Sequence, residues 1–168
     1  MRPNATSLAN YFIDLAISNQ KDILQMGLMK RVYITHGFCL ALFDKSALDP
    51  RFDVVEAWRY GPVIPSVYHS FKHNGKNPIK EKSVFVDYDP TTFEVTTQIP
   101  ELTDNDVKAV ANMVWNRYLD FSDTQMVELT HKSGTPWGMC YQKGKTCEIP
   151  DEYTKAFYQK LVKWDKMN

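Results

Sequence analysis

The sequence predicts a mainly α (α+β) fold, helical throughout apart from one small β-hairpin. Three observations carry this. Apolar residues recur every three or four positions along most of the chain. Alternation of apolar and polar residues gives a good hairpin signal only at about 84–97. Capping residues, glycines and prolines fall where helices should start and stop. The 168 residues predict a single compact domain, 1–168, of about seven or eight helices plus the hairpin.

Ser7 or Thr6 can cap a first helix, with Leu8, Tyr11, Phe12, Leu15 and Ala16 on one face. The polar run Ser18-Asn19-Gln20-Lys21-Asp22 ends it. A second helix, Leu24 to Phe43, carries a long stripe of Met26, Met29, Tyr33, Gly37, Leu40 and Ala41. Gly37 is less favourable than alanine there by about 1 kcal/mol, which predicts close approach of another helix. His36 lies beside the stripe, at the edge of the core. Pro50 and short polar residues make 44–53 a turn, followed by the apolar segment Phe52, Val54, Val55, Ala57 and Trp58. Pro65 opens a short third helix that turns Val67, Tyr68 and Phe71 inward and stops at Gly75.

In the hairpin, Val84 to Tyr88 and Phe93 to Thr97 flank the turn Asp89-Pro90-Thr91-Thr92. A lone hairpin is marginal in water, so this one is expected to pack on the helices. Thr103 caps the next helix, whose stripe is Val107, Val110, Ala111, Val114 and Tyr118 with Trp115 beside it. Ser122 and Gln125 form a capping box for a short helix through Leu129. Pro136 opens another, bearing Trp137 and Cys140, before the polar loop Gly144-Lys145-Thr146. Pro150 starts a final helix with Tyr153, Phe157, Leu161 and Trp164.

Charge argues against a dedicated nucleic-acid binder: Lys+Arg and Asp+Glu both number 20. The same balance leaves little electrostatic opposition to association, whether with a partner or as a homo-oligomer. Aromatic residues are abundant, with Trp 4, Tyr 9 and Phe 9. No apolar run follows the start Met1-Arg2-Pro3, so no signal peptide is expected, and no window reaches the roughly 18–20 apolar residues of a membrane span. Cys 3 in no close pair suits a reduced, cytoplasmic protein.

Little in the chain points to catalysis. Gly144-Lys145-Thr146 matches the tail of a phosphate-binding loop, but Met139 stands where the first glycine belongs. Cys140 and Cys147 with His131 fit no zinc spacing, and His69 with His73 lack further ligands. Cys39 and His36 share one helix without an orienting third group. No catalytic set, cofactor or metal is expected. His131 is the most interesting titratable residue. Its first reading is a histidine that pins its loop through a backbone carbonyl, ahead of a direct partner contact.

Two aromatic turns stand out instead. The first runs Glu56-Ala57-Trp58-Arg59-Tyr60-Gly61-Pro62-Val63-Ile64-Pro65-Ser66-Val67-Tyr68. Pro62 fixes its own φ and Gly61 reaches angles closed to other residues, so Tyr60-Gly61-Pro62 is expected to lie outside any helix or strand. Trp58, Tyr60 and Tyr68 sit on this stiff scaffold, as a core corner or as a recognition surface. The second turn is Thr130-His131-Lys132-Ser133-Gly134-Thr135-Pro136-Trp137, its companion.

The two turns in this order resemble the Panacea antitoxin-domain family, with its SocA-like antitoxins and phage-associated GepA-like proteins. The family's Tyr-Phe-hydrophobic-x-Leu-Ala segment is matched by Tyr11 to Ala16. Its lysine before an aromatic and a long apolar helix is matched loosely by Lys30 to Leu42. Its Glu-Ala-Trp-x-Tyr-Gly-Pro-Val-x-Pro-x-Val-Tyr is matched fully by Glu56 to Tyr68, and Phe-Lys-x-x-Gly by Phe71 to Gly75. Leu129-Thr130-His131 and Pro136-Trp137 match the late motif with one extra residue between. The resemblance spans residues 8 to 165.

It implies an antitoxin that neutralises a cognate protein toxin by binding it, or an adaptor that delivers the toxin to a cytosolic AAA+ protease. Charge balance and the lack of a long apolar window leave no membrane partner and no direct nucleic-acid partner expected. The residues the resemblance marks for the family motif and partner binding are Trp58, Arg59, Tyr60, Gly61, Pro62, Pro65, Tyr68, Thr130, His131, Pro136 and Trp137. For Trp58 and Trp137 core packing is the competing role. Two other functions stay open: a phage or mobile-element host-interaction factor, and an enzyme using His131.

Overall fold

In the computed structural model residues 4–168 are described; the start Met1-Arg2-Pro3, read above for signal-peptide character, lies outside them. Seven α-helices dominate: α1 Ala5–Ser18, α2 Gln25–Phe43, α3 Pro65–Phe71, α4 Asn105–Arg117, α5 Asp123–Thr130, α6 Pro136–Cys140 and α7 Asp151–Met167. A 3-10 turn, Lys72–Asn74, extends α3. Among the described residues none of these helices is long and apolar enough to cross a membrane.

Helix α2 is the centre. Every residue from Gly27 to Leu40 is buried, because α1, α3, α4, α5 and α7 surround it. The expected stripe is therefore a whole circumference, as in a core helix. Its polar residues bond inward rather than to water. Thr35 Oγ1 donates to the Arg31 carbonyl at 2.8 Å, and Arg31 donates to the carbonyls of Gly27 and Tyr118. His36 is not at the core's edge but fully buried, 2.9 Å from Asp151 on the first turn of α7. That bond with His36 holds the Asp151 carboxyl below its ordinary range.

Helix starts follow capping chemistry, with two shifts from the sequence reading. Asn4 caps α1 and Ser7 completes a box with it from the third position, so neither Ser7 nor Thr6 is the cap. Asp104, not Thr103, caps α4, and its carboxylate accepts from Asp106 and Val107. The Ser122–Gln125 box on α5 and Pro65 at the start of α3 are as expected.

Two sheets are present where one hairpin was expected. Strands β1 Glu56–Trp58, β2 Gly61–Val63 and β5 Cys147–Glu148 form an antiparallel sheet in the order β2-β1-β5. Gly61 and Pro62 therefore lie inside a strand, contrary to the expectation. Pro62 is tolerated because β2 is an edge strand, where a missing donor breaks no second ladder. Strands β3 Phe85–Tyr88 and β4 Val95–Gln98 form the expected hairpin. It does not pack on the helices: every residue of both strands is exposed.

The predicted close approach at Gly37 is found. A Cβ there would run into the ring of Tyr158, itself wedged edge-on against Phe38 at 4.9 Å. Gly37→Ala is thus expected to destabilise the fold by about 1–3 kcal/mol through overpacking, against about 1 kcal/mol of gained helix propensity. Urea unfolding measures it; a stabilised variant would show that the α2–α7 contact is not tight.

Candidate partner-binding site at the aromatic turn

The β1–β2 hairpin closes with Trp58 opposite Gly61, so only Arg59 and Tyr60 form its tip. Both project into solvent, Tyr60 with 57% of its surface exposed. The Arg59 guanidinium lies over the Tyr60 ring at 5.3 Å. A two-residue tip needs positive φ nearby, and Gly61 supplies it at +108°.

Three side chains from elsewhere hold the carbonyls of this hairpin. Lys30, in the second turn of α2, donates from Nζ to the Pro62 carbonyl at 2.8 Å. His131, just after α5, donates from Nε2 to the Arg59 carbonyl at 2.8 Å, which fixes its tautomer because a carbonyl only accepts. Trp137 on α6 donates from Nε1 to the Trp58 carbonyl at 2.6 Å. The two aromatic turns are companions in space as in sequence. The reading of His131 as a loop pin holds, with the carbonyl supplied by the other turn.

The second turn builds itself around its own polar groups. Thr130 and Thr135 are buried; Thr135 caps α6 and donates to the carbonyls of Lys132 and Thr130. Pro136 starts α6, which turns Trp137 under the hairpin. His131, Trp137 and Tyr141 then lie in a row, with ring centroids 3.9 and 4.8 Å apart. On the other side Trp58 meets Tyr68 edge-on at 5.1 Å and donates to Glu56 at 2.6 Å. Pro65 sets the start of α3 and so the position of Tyr68. Both motif tryptophans are half-buried, neither core nor free. A groove of about 600 Å³ runs beside the tip, with Arg59, Lys143 and Lys145 supplying cations along it.

Lys30 is the residue that sequence reasoning undervalued. It is fully buried, and burial pulls its ammonium down to about 7. A Cβ on Gly61 would sit 2.8 Å from its Nζ, so the glycine makes room for the lysine as well as for the turn. The available signal was a lysine, next to Arg31, inside an otherwise largely apolar helical stretch. No group of three or more His, Cys, Asp or Glu is placed to hold a metal among the described residues. Cys39, Cys140 and Cys147 are free thiols.

The family model described as Antitoxin SocA-like, Panacea domain, matches residues 28–138. That span includes Lys30, both turns and the three side chains that clamp the hairpin. The chain is also similar to Antitoxin SocA of Caulobacter vibrioides (strain NA1000 / CB15N), at 29% identity over 134 residues, which is 80% of this chain and 68% of that protein. No solved structure matches.

Burial of Lys30 has a pH consequence. Its folded value, about 7, lies below the ordinary 10.5, so between these the unfolded chain holds a proton that the folded chain has released. Stability therefore rises with pH across that window. Above about 8.5 the buried Cys39 thiol, pushed up by desolvation, works in the opposite direction. Between pH 7 and 8.5 the wild type should gain up to about 1.4 kcal/mol per pH unit relative to Lys30→Met. Urea unfolding of both at each pH reads the difference; parallel profiles would show that Lys30 keeps an ordinary affinity for its proton.

Proposed function

The chain belongs to the SocA-like, Panacea-domain antitoxin family, and from that premise we propose that it neutralises a cognate protein toxin by binding it at the Arg59–Tyr60 tip. The carrying observation is an exposed arginine and tyrosine on a hairpin whose carbonyls are immobilised by Lys30, His131 and Trp137. Interface energy concentrates in a few tryptophan, tyrosine and arginine residues. A preorganised loop loses little entropy when it is covered. The cations of Arg59, Lys143 and Lys145 favour an acidic patch on the toxin surface that meets the groove.

The same surface serves simple occlusion in the cytoplasm and delivery to a cytosolic AAA+ protease. Toxin half-life separates the two: an adaptor shortens it only where the protease is present, whereas occlusion leaves it unchanged. An enzyme using His131 has less support, because the ring nitrogen aimed at the hairpin is already donating to the Arg59 carbonyl.

The test is co-expression with the product of each adjacent gene. One product is expected to be toxic alone and harmless with this protein. The double variant Arg59→Glu with Tyr60→Ala should weaken that complex by roughly 30-fold or more while leaving the thermal midpoint unchanged, since neither side chain is buried. Full rescue by a stable double variant would move the binding surface elsewhere.

A further inference from the structure

The β3–β4 hairpin is the second surface that calls for a partner. Among the described residues its two strands pair only with each other. Such a ribbon is marginal in water, and an exposed edge is usually blunted by lysine, proline or a bulge. Phe85-Val86-Asp87-Tyr88 and Val95-Thr96-Thr97-Gln98 contain no lysine, proline or bulge, and Asp87 is the one charge in either four-residue strand. Val86, Val95 and the loop residue Phe93 are 65%, 63% and 75% exposed. Phe93 is also held at φ +59°, a region bulky residues avoid.

Hydrogen-bond register shows which backbone groups are open. Asp89 N–H donates to the Glu94 carbonyl at 3.0 Å next to the closing pair Tyr88–Val95. Bonded pairs alternate from there, so Asp87 with Thr96 and Phe85 with Gln98 exchange bonds. The N–H and C=O groups of Val86 and Tyr88 then point away from β4. A groove of about 480 Å³ lies between the ribbon, through Phe85, Val86, Asp87 and Gln98, and the residues Phe52, Ser66 and Ser70. No residue of the Arg59–Tyr60 tip lines it.

Charge decides what fits. Residues 84–99 contain Asp87, Asp89 and Glu94 and no lysine or arginine. The Thr91 and Thr92 amides hold the Asp89 carboxyl below its usual range. A second copy paired through β3 would set these carboxylates against themselves, and like charges across an interface oppose pairing. We propose that the open edge of β3 takes an added strand from a partner protein, an extended segment in which apolar residues alternate with lysine or arginine. Main-chain bonds to Val86 and Tyr88 give affinity, and the carboxylates select the basic sequence.

A fluorescein-labelled peptide of four Lys-Val repeats, titrated with the full chain and followed by anisotropy, tests this. Binding is expected, about tenfold tighter than for the Glu-Val counterpart and for the Lys-Val peptide N-methylated at alternate residues. Asp87→Lys should weaken it by about tenfold, whereas Glu128→Lys, the same charge change on exposed α5, should not. Amide exchange at Val86 and Tyr88 should slow in the complex. Equal binding of the N-methylated peptide removes strand addition, and no binding of the Lys-Val peptide removes the basic segment. A chain that sediments as a dimer until Val86→Lys assigns the edge to a second copy instead. None of these readouts involves a toxin, so they stand or fall separately from neutralisation at the Arg59–Tyr60 tip.

Discussion

The bond from Lys30 to the Pro62 carbonyl is the constraint around which the motif half of the molecule is arranged. It joins the most buried helix to an edge strand that is itself buried, paired with β1 and packed on α2 and α5. An ammonium without water is unfavourable, and only a placed acceptor offsets part of that. The rest of the motif follows from placing it. Gly61 must lack a Cβ, Pro62 must offer a carbonyl on an edge, and the chain must leave at once into α3. His131 and Trp137 then bond the two carbonyls on the tip side, so each of three elements restrains a different point of one short hairpin. Removing any one takes from a carbonyl the donor that the fold supplies to it.

Much of this was legible in the sequence, and the failures are informative. Periodicity located the helices because most have one wet face. It mistook α2 for an ordinary amphipathic helix because residues such as Lys30, Arg31 and His36 read as polar, and their partners Pro62, Tyr118 and Asp151 lie far along the chain. The hairpin at the motif was missed for the opposite reason. Gly61 and Pro62 are strand breakers by propensity, and only edge position with a bond from another element makes them strand residues. Strand β5, two residues long, carries no pattern at all; β1 recruits it. The His131 loop was legible in part: the pinning role was the first of the readings, while the carbonyl it bonds, that of Arg59 in the other turn, lies far along the chain.

The two exposed hairpins are built on different physics. The β1–β2 tip is fixed by side chains from three helical regions, so its arginine and tyrosine are presented in one arrangement. The β3–β4 ribbon is held by its own ladder and an Asx-type turn at Asp89, so it is ordered locally and incomplete as a sheet. A rigid tip suits recognition of a folded surface. An open edge suits recognition of an extended segment, because the partner supplies the missing strand.

Net charge conceals this division. Equal counts of acidic and basic residues suggest a molecule without electrostatic preference. Yet Arg59, Lys143 and Lys145 share the groove beside the tip, while Asp87, Asp89 and Glu94 share the ribbon. Fields of exposed charges fall off within about 8–10 Å at physiological salt, so each surface acts through its own charges and not through the sum. Equal totals therefore say nothing about either surface: the cations lie along one hairpin's groove and the carboxylates along the other hairpin, and each set would be met separately.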